Sequence, residues 1–221
     1  MTHTVHPYAH RLGIIRDWKS RWFGVKGTYA KLLKTDLLIR EYLEKKLKGM
    51  YVSSIEIERG QKNFRIIIET SRPGLIIGRN GEGAVKLKND LLREIARLKL
   101  SAKEEVNIDI KEVKSPESNA AIVSQMIAEG LEKRMPFRRV IKQMADKVMA
   151  NRDVLGVKIM LSGRLGGAEM SRKEKLKKGR VPLQTFRADV DYCHHEAQLP
   201  YGKIGIKVWI YKGEIFQKAK N

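Results

Sequence analysis

Residues 72–82 read Arg72-Pro73-Gly74-Leu75-Ile76-Ile77-Gly78-Arg79-Asn80-Gly81-Glu82, and this stretch decides the fold. Two glycines enclose the polar pair Arg79 and Asn80. Glycine has no Cβ, so the backbone of such a loop can approach a sugar-phosphate chain closely. A helix that begins at Gly81 offers free N–H groups and the positive end of its dipole to phosphate. The sequence therefore predicts that Gly78, Arg79, Asn80 and Gly81 form a phosphate-binding loop.

A regular order of helices and strands surrounds this loop. Apolar residues at helical spacing predict a helix over 28–48, and alternating residues predict strands over 52–58 and 64–69 that form a hairpin. A further helix follows the loop, and a strand follows that helix over 106–110. A GxxG motif alone is a weak signal, because glycine pairs occur in many turns. The order helix–strand–strand–helix–loop–helix–strand makes it much more specific.

The second half of the chain repeats the mixture of helices and strands. Ser115-Pro116-Glu117 predicts a helix start and marks a domain boundary. Two helices, over 118–134 and 137–150, precede strands over 156–161, 185–192 and 204–211. We therefore predict an α+β protein in three parts: a basic aromatic N-terminal arm over 1–27, a first domain over 28–114 and a second small α+β domain over 115–221.

Charge limits the classes of function. The chain has 221 residues, of which 45 are Lys or Arg and 25 are Asp or Glu, so its formal net charge is +20. Such a charge repels itself in the folded state, which favours a polyanionic partner, most commonly nucleic acid. One cysteine fits a reducing, cytoplasmic compartment, and no apolar run reaches the roughly 18 residues that cross a bilayer. A basic protein without a polyanionic partner stays an alternative at this point.

Cations and aromatic side chains alternate in the predicted arm. Arg11, Lys19 and Arg21 lie near Trp18 and Trp22. Guanidinium and ammonium groups neutralise phosphate, and rings stack on bases, so this pattern favours RNA. The alternative is that the tryptophans dock the arm onto the protein core, and the two interpretations are compatible.

A Gly- and Lys-rich stretch separates two predicted strands of the second domain. Residues 163–187 hold eight cations against Glu169 and Glu174, which leaves a local charge of +6. Cations at this density are typical of phosphate contacts, which give affinity without sequence recognition. A mobile, solvated loop that becomes ordered on RNA is the alternative. The cations are Arg164, Arg172, Lys173, Lys175, Lys177, Lys178, Arg180 and Arg187.

Catalytic interpretations find little support. Cys193, His194 and His195 suggest a metal, but adjacent strand residues point to opposite faces and no further Cys or spaced His pair completes four ligands. Asp189 and Asp191 share a strand face, where pairing with the surrounding cations is favoured over a metal. Nucleotide-binding motifs are absent. We therefore predict no enzymatic activity, no cofactor, no metal and no small-molecule substrate.

The element order around Gly78 and Gly81 resembles the type II K-homology (KH) domain, whose GxxG loop clamps about four nucleotides. Seven tracts then extend the resemblance along the chain, in one order and spacing. Together they are similar to the family of the third protein of the bacterial small ribosomal subunit. The tracts are 5–14, 75–81, 135–139, 162–169, 179–183, 189–192 and 201–210.

This resemblance implies an RNA-binding protein in the head of the small subunit. It implies contacts with small-subunit ribosomal RNA, with messenger RNA at its entrance, and with the tenth and fourteenth small-subunit proteins. Basic residues at the entrance help separate messenger duplexes in that family, and Arg138, Arg139 and Lys142 match them. A helix over 137–150 projects these three away from its apolar face. A free-standing KH-domain regulator of transcripts and a repair nuclease are the alternatives.

Overall fold

The computed structural model describes residues 5–60, 63–97 and 105–216. The chain divides into two compact units. One is formed by residues 18–114, and the other by residues 1–17 together with 115–221. Residues 1–4 of the predicted arm, part of the predicted hairpin turn and the last five residues lie outside the described part.

The unit formed by residues 18–114 is a four-stranded sheet with three helices. The strands lie in the order β1-β2-β3-β4. β2 and β3 are antiparallel, whereas β1 runs parallel to β2 and β4 parallel to β3. The predicted order of helices and strands around the loop is confirmed. The elements are β1 (Ser20–Arg21), α1 (Tyr29–Lys46), β2 (Val52–Arg59), β3 (Asn63–Thr70), α2 (Pro73–Ile77), α3 (Glu82–Arg97) and β4 (Glu105–Glu112).

The core of this unit follows from alternation along the strands. Ile55 and Ile57 of β2 lie opposite Ile68 and Ile66 of β3, and all four are buried. Helical spacing brings one face of each long helix onto these strands. The helix residues buried there are Ile39, Leu43 and Leu47 of α1 and Leu87, Leu91 and Ile95 of α3.

The other unit packs two helices on one face of a second sheet. Its strands lie in the order β6-β5-β8-β7, and every neighbouring pair is antiparallel. The elements are α4 (Ala120–Glu132), α5 (Phe137–Met149), β5 (Gly156–Gly163), β6 (Arg172–Gly179), β7 (Ala188–Leu199) and β8 (Gly202–Glu214). No helix in the described ranges is long and apolar enough to span a bilayer.

The start of α4 differs from the prediction. Ser115-Pro116-Glu117 leads into a short 3-10 turn, and α4 begins at Ala120. The Asn119 side chain caps the helix by accepting from Ala121 N at 3.0 Å. Asp191 of β7 accepts from Ala120 N at 2.8 Å, so this carboxylate holds the N-terminus of α4 on the sheet.

Strand alternation gives the second sheet two different faces. Val157, Ile159 and Leu161 of β5 are buried against the helices, as are Ile206, Val208 and Ile210 of β8. The opposite face, called the outer face below, carries Lys158 and Met160 of β5 and Lys207 and Trp209 of β8. A smaller apolar cluster on that face contains Val190, Trp209 and Tyr211.

Eight residues of the stretch predicted as a loop, about a third of it, form an edge strand. Residues 172–179 form β6, which pairs with β5 over eight residues. Leu176 of β6 packs against the apolar core, while the lysines on either side of it are exposed or half-buried. Because most residues of this segment are charged, the sequence does not show the alternation of buried and exposed side chains that is typical of a strand.

Residues 5–17 belong to the same unit as residues 115–216. Arg11, predicted to contact RNA, is fully buried. Its guanidinium donates to the carbonyls of Ala188 at 2.6 Å and Pro7 at 3.0 Å, and to three more carbonyls between residues 182 and 185. Arg16 forms an ion pair with Asp189 at 2.7 Å. Arg11 is therefore a structural residue, and the prediction that it contacts RNA is wrong, because no donor of the side chain reaches solvent.

Candidate nucleic-acid interface

The GxxG loop has the backbone shape that its sequence predicts. Gly78 has φ +70°, Asn80 +52° and Gly81 +81°, all in the left-handed region. Glycine occupies that region freely and asparagine tolerates it, whereas other side chains are strained there. The turn leaves Arg79 and Asn80 exposed directly before the N-terminus of α3. N–H groups at that end of the helix and the Arg79 cation form an arrangement that suits phosphate.

Gly83 is a further residue of this site, and the sequence reasoning missed it. A Cβ at Gly83 would lie 2.5 Å from the carbonyl oxygen of Ile76 and 2.9 Å from that of Ile77. The first turn of α3 therefore approaches the end of α2 backbone to backbone. The signal was present as a third glycine two residues after the GxxG motif.

Apolar side chains flank the loop. Leu75 is 58% exposed and Val85 is 61% exposed, and they lie on either side of the loop in sequence. Val85 also lines a shallow groove of about 430 Å³ along α3, together with Asn80, Lys86 and Arg93. Exposed apolar groups beside such a turn can contact the faces of unpaired bases.

The N-terminal half of α5 carries the predicted entrance cations. Arg138, Arg139 and Lys142 are all exposed. Arg138 forms an ion pair with Glu174 of β6 at 3.1 Å, and the hydrogen bond to Glu174 raises the pKa of this guanidinium. Within the described ranges, neither Arg139 nor Lys142 has a carboxylate within ion-pair distance. Arg139 and Lys142 are thus available to phosphate. Arg138 would have to exchange its pairing with Glu174 for a phosphate.

The cations of β6 divide between the two faces of the sheet. Arg172 lies over the Phe137 ring at 5.5 Å, and Lys178 forms an ion pair with Asp146 of α5. Both therefore lie on the helix side. Register places Lys173, Lys175 and Lys177 on the outer face, opposite Ser162, Met160 and Lys158 of β5.

Two further predicted cations lie at the ends of this region. Arg164 lies over the Tyr201 ring at 5.5 Å and donates to the Ala168 carbonyl at 3.0 Å, so its orientation is fixed. Arg180 is exposed immediately after β6.

The remaining predicted contacts lie at the start of the unit formed by residues 18–114. Arg21 donates to Glu56 and Glu58, at 2.7 Å each, and these carboxylates neutralise it. Lys19 is exposed. Trp22 donates to the buried Asp36 carboxylate at 2.6 Å, so this ring docks the segment onto its own unit. Trp18 is 61% exposed.

The Cys-His-His sequence is divided by strand alternation, as expected. Cys193 is half-buried and lies 3.4 Å from the Ser124 hydroxyl, while His194 is exposed. No group of three potential metal ligands occurs in the part of the chain that the structure describes.

Comparison with known proteins agrees with the two units. The KH domain family model matches residues 38–118, and the model of the ribosomal protein S3 C-terminal domain matches residues 127–210. The small ribosomal subunit protein uS3 of Caldicellulosiruptor bescii is 46% identical over 220 residues, which cover 99% of this chain and 96% of that relative. The uS3 proteins of Nitrosococcus oceani and Clostridium botulinum are each 44% identical, over 220 and 221 residues. They cover 95% and 96% of those relatives and all of this chain.

These matches confirm the resemblance found in the sequence. They extend along nearly the whole chain and include both units, whereas a free-standing KH regulator would match in the first unit alone. The relatives bear the name of a ribosomal protein, not of an enzyme. The chain belongs to the uS3 family of small-subunit ribosomal proteins.

Proposed function

We propose that this structural constituent of the small ribosomal subunit binds ribosomal RNA in the head and lines the messenger entrance, where it contributes passively to unwinding. The observation that carries the proposal is the exposed cationic half of α5, with Arg139 and Lys142 lacking carboxylate partners in the described ranges. Cations fixed on a helix can hold separated strands while translocation pulls the messenger through. The step requires no covalent chemistry and no cofactor.

The GxxG loop supports a second contact with RNA. Its backbone N–H groups and Arg79 suit phosphate, and the exposed Leu75 and Val85 suit bases. Such a site fits a single strand, because in a duplex the bases are paired with one another and their faces are not free to contact Leu75 and Val85. Six neutralised phosphates on a single strand predict a log–log salt dependence with a slope of about −4.

An exposed apolar stripe on α1 supports contact with neighbouring ribosomal proteins. Tyr29, Leu33 and Leu37 recur every four residues and are each at least half exposed. An apolar stripe of this kind suits a protein partner better than phosphate. The tenth and fourteenth small-subunit proteins are the proposed partners.

Reversing the charge of the GxxG loop is expected to weaken binding of single-stranded RNA. Arg79→Glu removes a cation and repels phosphate at the loop, so we expect the Kd for a single-stranded oligonucleotide to rise about tenfold at 0.1 M salt, equivalent to 1.4 kcal/mol. Fluorescence anisotropy of a labelled RNA measures this. Lys34→Glu, on the exposed surface of α1, makes the same charge change elsewhere in the unit. Equal losses in the two variants would show that net charge alone controls binding.

Removing the entrance cations is expected to slow translation of structured messengers. With Arg138, Arg139 and Lys142 all replaced by Ala, subunits should assemble normally, because these side chains are exposed. Ribosomes carrying the variant should then pause at a stable hairpin and translate an unstructured messenger at the ordinary rate. Single-ribosome or bulk elongation assays on the paired messengers measure this. Equal rates on both messengers would contradict the role of α5.

A further inference from the structure

Five lysines share the outer face of the second sheet. Lys173, Lys175 and Lys177 alternate along β6, about 7 Å apart. Lys158 of β5 lies directly opposite Lys177, and Lys207 of β8 lies opposite Met160 of β5. These five side chains, called the lysine face below, extend over three adjacent strands.

In the described ranges, no cross-strand neighbour of these five lysines is an Asp or a Glu. The other cross-strand partners are Met160, Ser162, Trp209 and His194. Within the described ranges, none of the five ammonium groups has an ion-pair partner within 4 Å. The nearest acid by register is Glu196 of β7, opposite Gly205 of β8, and its carboxylate pairs with Lys203 at 2.8 Å.

The helix side of the same strand is built differently. There Glu174 pairs with Arg138, and Lys178 pairs with Asp146. Charge on that side is compensated between β6 and α5. The two faces of one strand therefore carry different electrostatics, and only the outer one concentrates positive charge.

This concentration has a cost in the isolated protein. Like charges directly opposite each other in a sheet are destabilising. Lys158 lies opposite Lys177 and over the Trp209 ring at 4.7 Å. Burial, with Lys175 and Lys177 nearby, lowers the pKa of Lys158. A bound polyanion would remove this repulsion.

Protection of a sheet edge explains only part of the pattern. Lysine on an edge strand prevents pairing with other sheets, and β6 is an edge strand. Lys158 and Lys207, however, lie on the interior strands β5 and β8, where no edge needs protection. Their presence on the same face points to a ligand that extends across the strands.

We propose that the lysine face binds the phosphate backbone of an RNA duplex, at a site separate from the GxxG loop and from the entrance cations of α5. Lysine contacts phosphate as a point charge and does not read bases. Trp209 is 5% exposed and lies beneath Lys158, so its ring is not available for stacking on bases. Among the cross-strand partners of the five lysines, the exposed ring is the imidazole of His194, opposite Lys207. Five lysines beside one such ring fit the phosphates of paired RNA better than the stacked bases of a single strand. The proposal shares the RNA partner of the proposed function and uses other side chains.

The test measures binding of the full chain to an RNA duplex of about 20 base pairs. In one variant, Lys158, Lys175 and Lys207 are replaced by Gln. The matched control replaces Lys31, Lys34 and Lys45 of α1, which are exposed on the other unit. We expect the Kd of the first variant to rise at least about tenfold at 0.1 M salt, with a salt slope shallower by up to about 3 units. The control should change less than threefold.

A second variant guards against loss of folding. Replacing Lys173, Lys175 and Lys177 by Gln leaves the half-buried Lys158 in place and should also weaken duplex binding. Equal losses in the control, or unchanged duplex binding in both lysine-face variants, would overturn the proposal. Polyglutamate serves as a probe for an acidic protein partner. If the lysine-face variants lost binding to polyglutamate but kept binding to the duplex, the proposal would be overturned in favour of such a partner.

The single-strand assay separates this proposal from the proposed function. Arg79→Glu should weaken single-strand binding and leave duplex binding nearly unchanged, whereas the lysine-face variants should do the reverse. If the lysine-face variants bound the duplex normally while Arg79→Glu weakened single-strand binding, only the lysine-face proposal would be overturned. If Arg79→Glu had no effect on single-strand binding while the lysine-face variants weakened duplex binding, only the proposed role of the GxxG loop would be overturned.

Discussion

Replacing Arg11 by alanine is expected to lower the free energy of unfolding of the unit that contains it by at least about 3 kcal/mol. The guanidinium donates to five backbone carbonyls, and no part of the residue is exposed to solvent. Each buried acceptor left without a donor costs about 1 to 3 kcal/mol. Alanine therefore leaves a cavity lined by carbonyls that have lost their guanidinium donor.

Hydrogen exchange of the amides in β7 and β8 measures this loss. The exchange rates of these amides should increase roughly a hundredfold, because a loss of about 3 kcal/mol raises the equilibrium population of the open form by that factor. Arg187→Ala is the matched control. It also removes one cation beside the same loop, but Arg187 is exposed and its pair with Glu214 contributes at most about 1 kcal/mol.

Arg11→Lys separates charge from geometry. Lysine keeps the positive charge but has one nitrogen, which cannot reach carbonyls on several sides of a planar guanidinium. We expect exchange rates close to those of Arg11→Ala. Exchange like that of the unchanged protein would mean that charge, and not the set of five hydrogen bonds, stabilises this unit.

Arg11 also shows where sequence reasoning fails. Burial of an arginine depends on acceptors more than 170 residues away along the chain, at Pro182, Leu183, Thr185 and Ala188. Local composition shows only a basic segment with aromatic rings. The predicted arm over 1–27 is for the same reason divided between the two units, since Ser20 pairs with Ile57 of β2.

Elements set by local chemistry were predicted closely. The helix predicted over 28–48 is α1, and the strands predicted over 52–58 and 64–69 are β2 and β3, each within two residues of the observed ends. Apolar periodicity decides these elements, and it is visible within a short window. The GxxG turn was predictable because glycine and asparagine adopt positive φ at little cost.

The pairing of charges was not predictable from spacing. Lys178 and Arg172 face α5, whereas Lys173, Lys175 and Lys177 face away from it. Strand alternation decides this, and the lysine-rich stretch does not reveal that it is a strand. The division into a compensated and an uncompensated face appears only once β6 is paired with β5.

Replacing Gly83 by alanine is the second change for which we expect a large effect. Alanine normally stabilises a helix by about 1 kcal/mol relative to glycine. At this position its Cβ would lie 2.5 Å from the Ile76 carbonyl oxygen, and both atoms belong to parts of the chain that cannot rotate away. Overpacking of this kind costs about 1 to 3 kcal/mol. The GxxG turn between α2 and α3 would have to shift.

A shifted turn should weaken RNA binding more than it weakens folding. In the proposed function the N–H groups at the start of α3 bind phosphate, which requires that they point to one place. We therefore expect the Kd for single-stranded RNA to rise at least about tenfold. Anisotropy measures the affinity and urea denaturation the stability. Duplex binding at the lysine face should remain unchanged, because that face belongs to the other unit.

Gly74→Ala is the matched control within the same motif. A Cβ at Gly74 meets nothing within 4 Å, and its φ lies outside the left-handed region. This variant should therefore bind RNA normally. If Gly74→Ala and Gly83→Ala weakened binding equally, glycine content in general would be responsible. A loss confined to Gly83→Ala would mean that contact between α2 and α3, backbone against backbone, fixes the geometry with which the loop holds RNA.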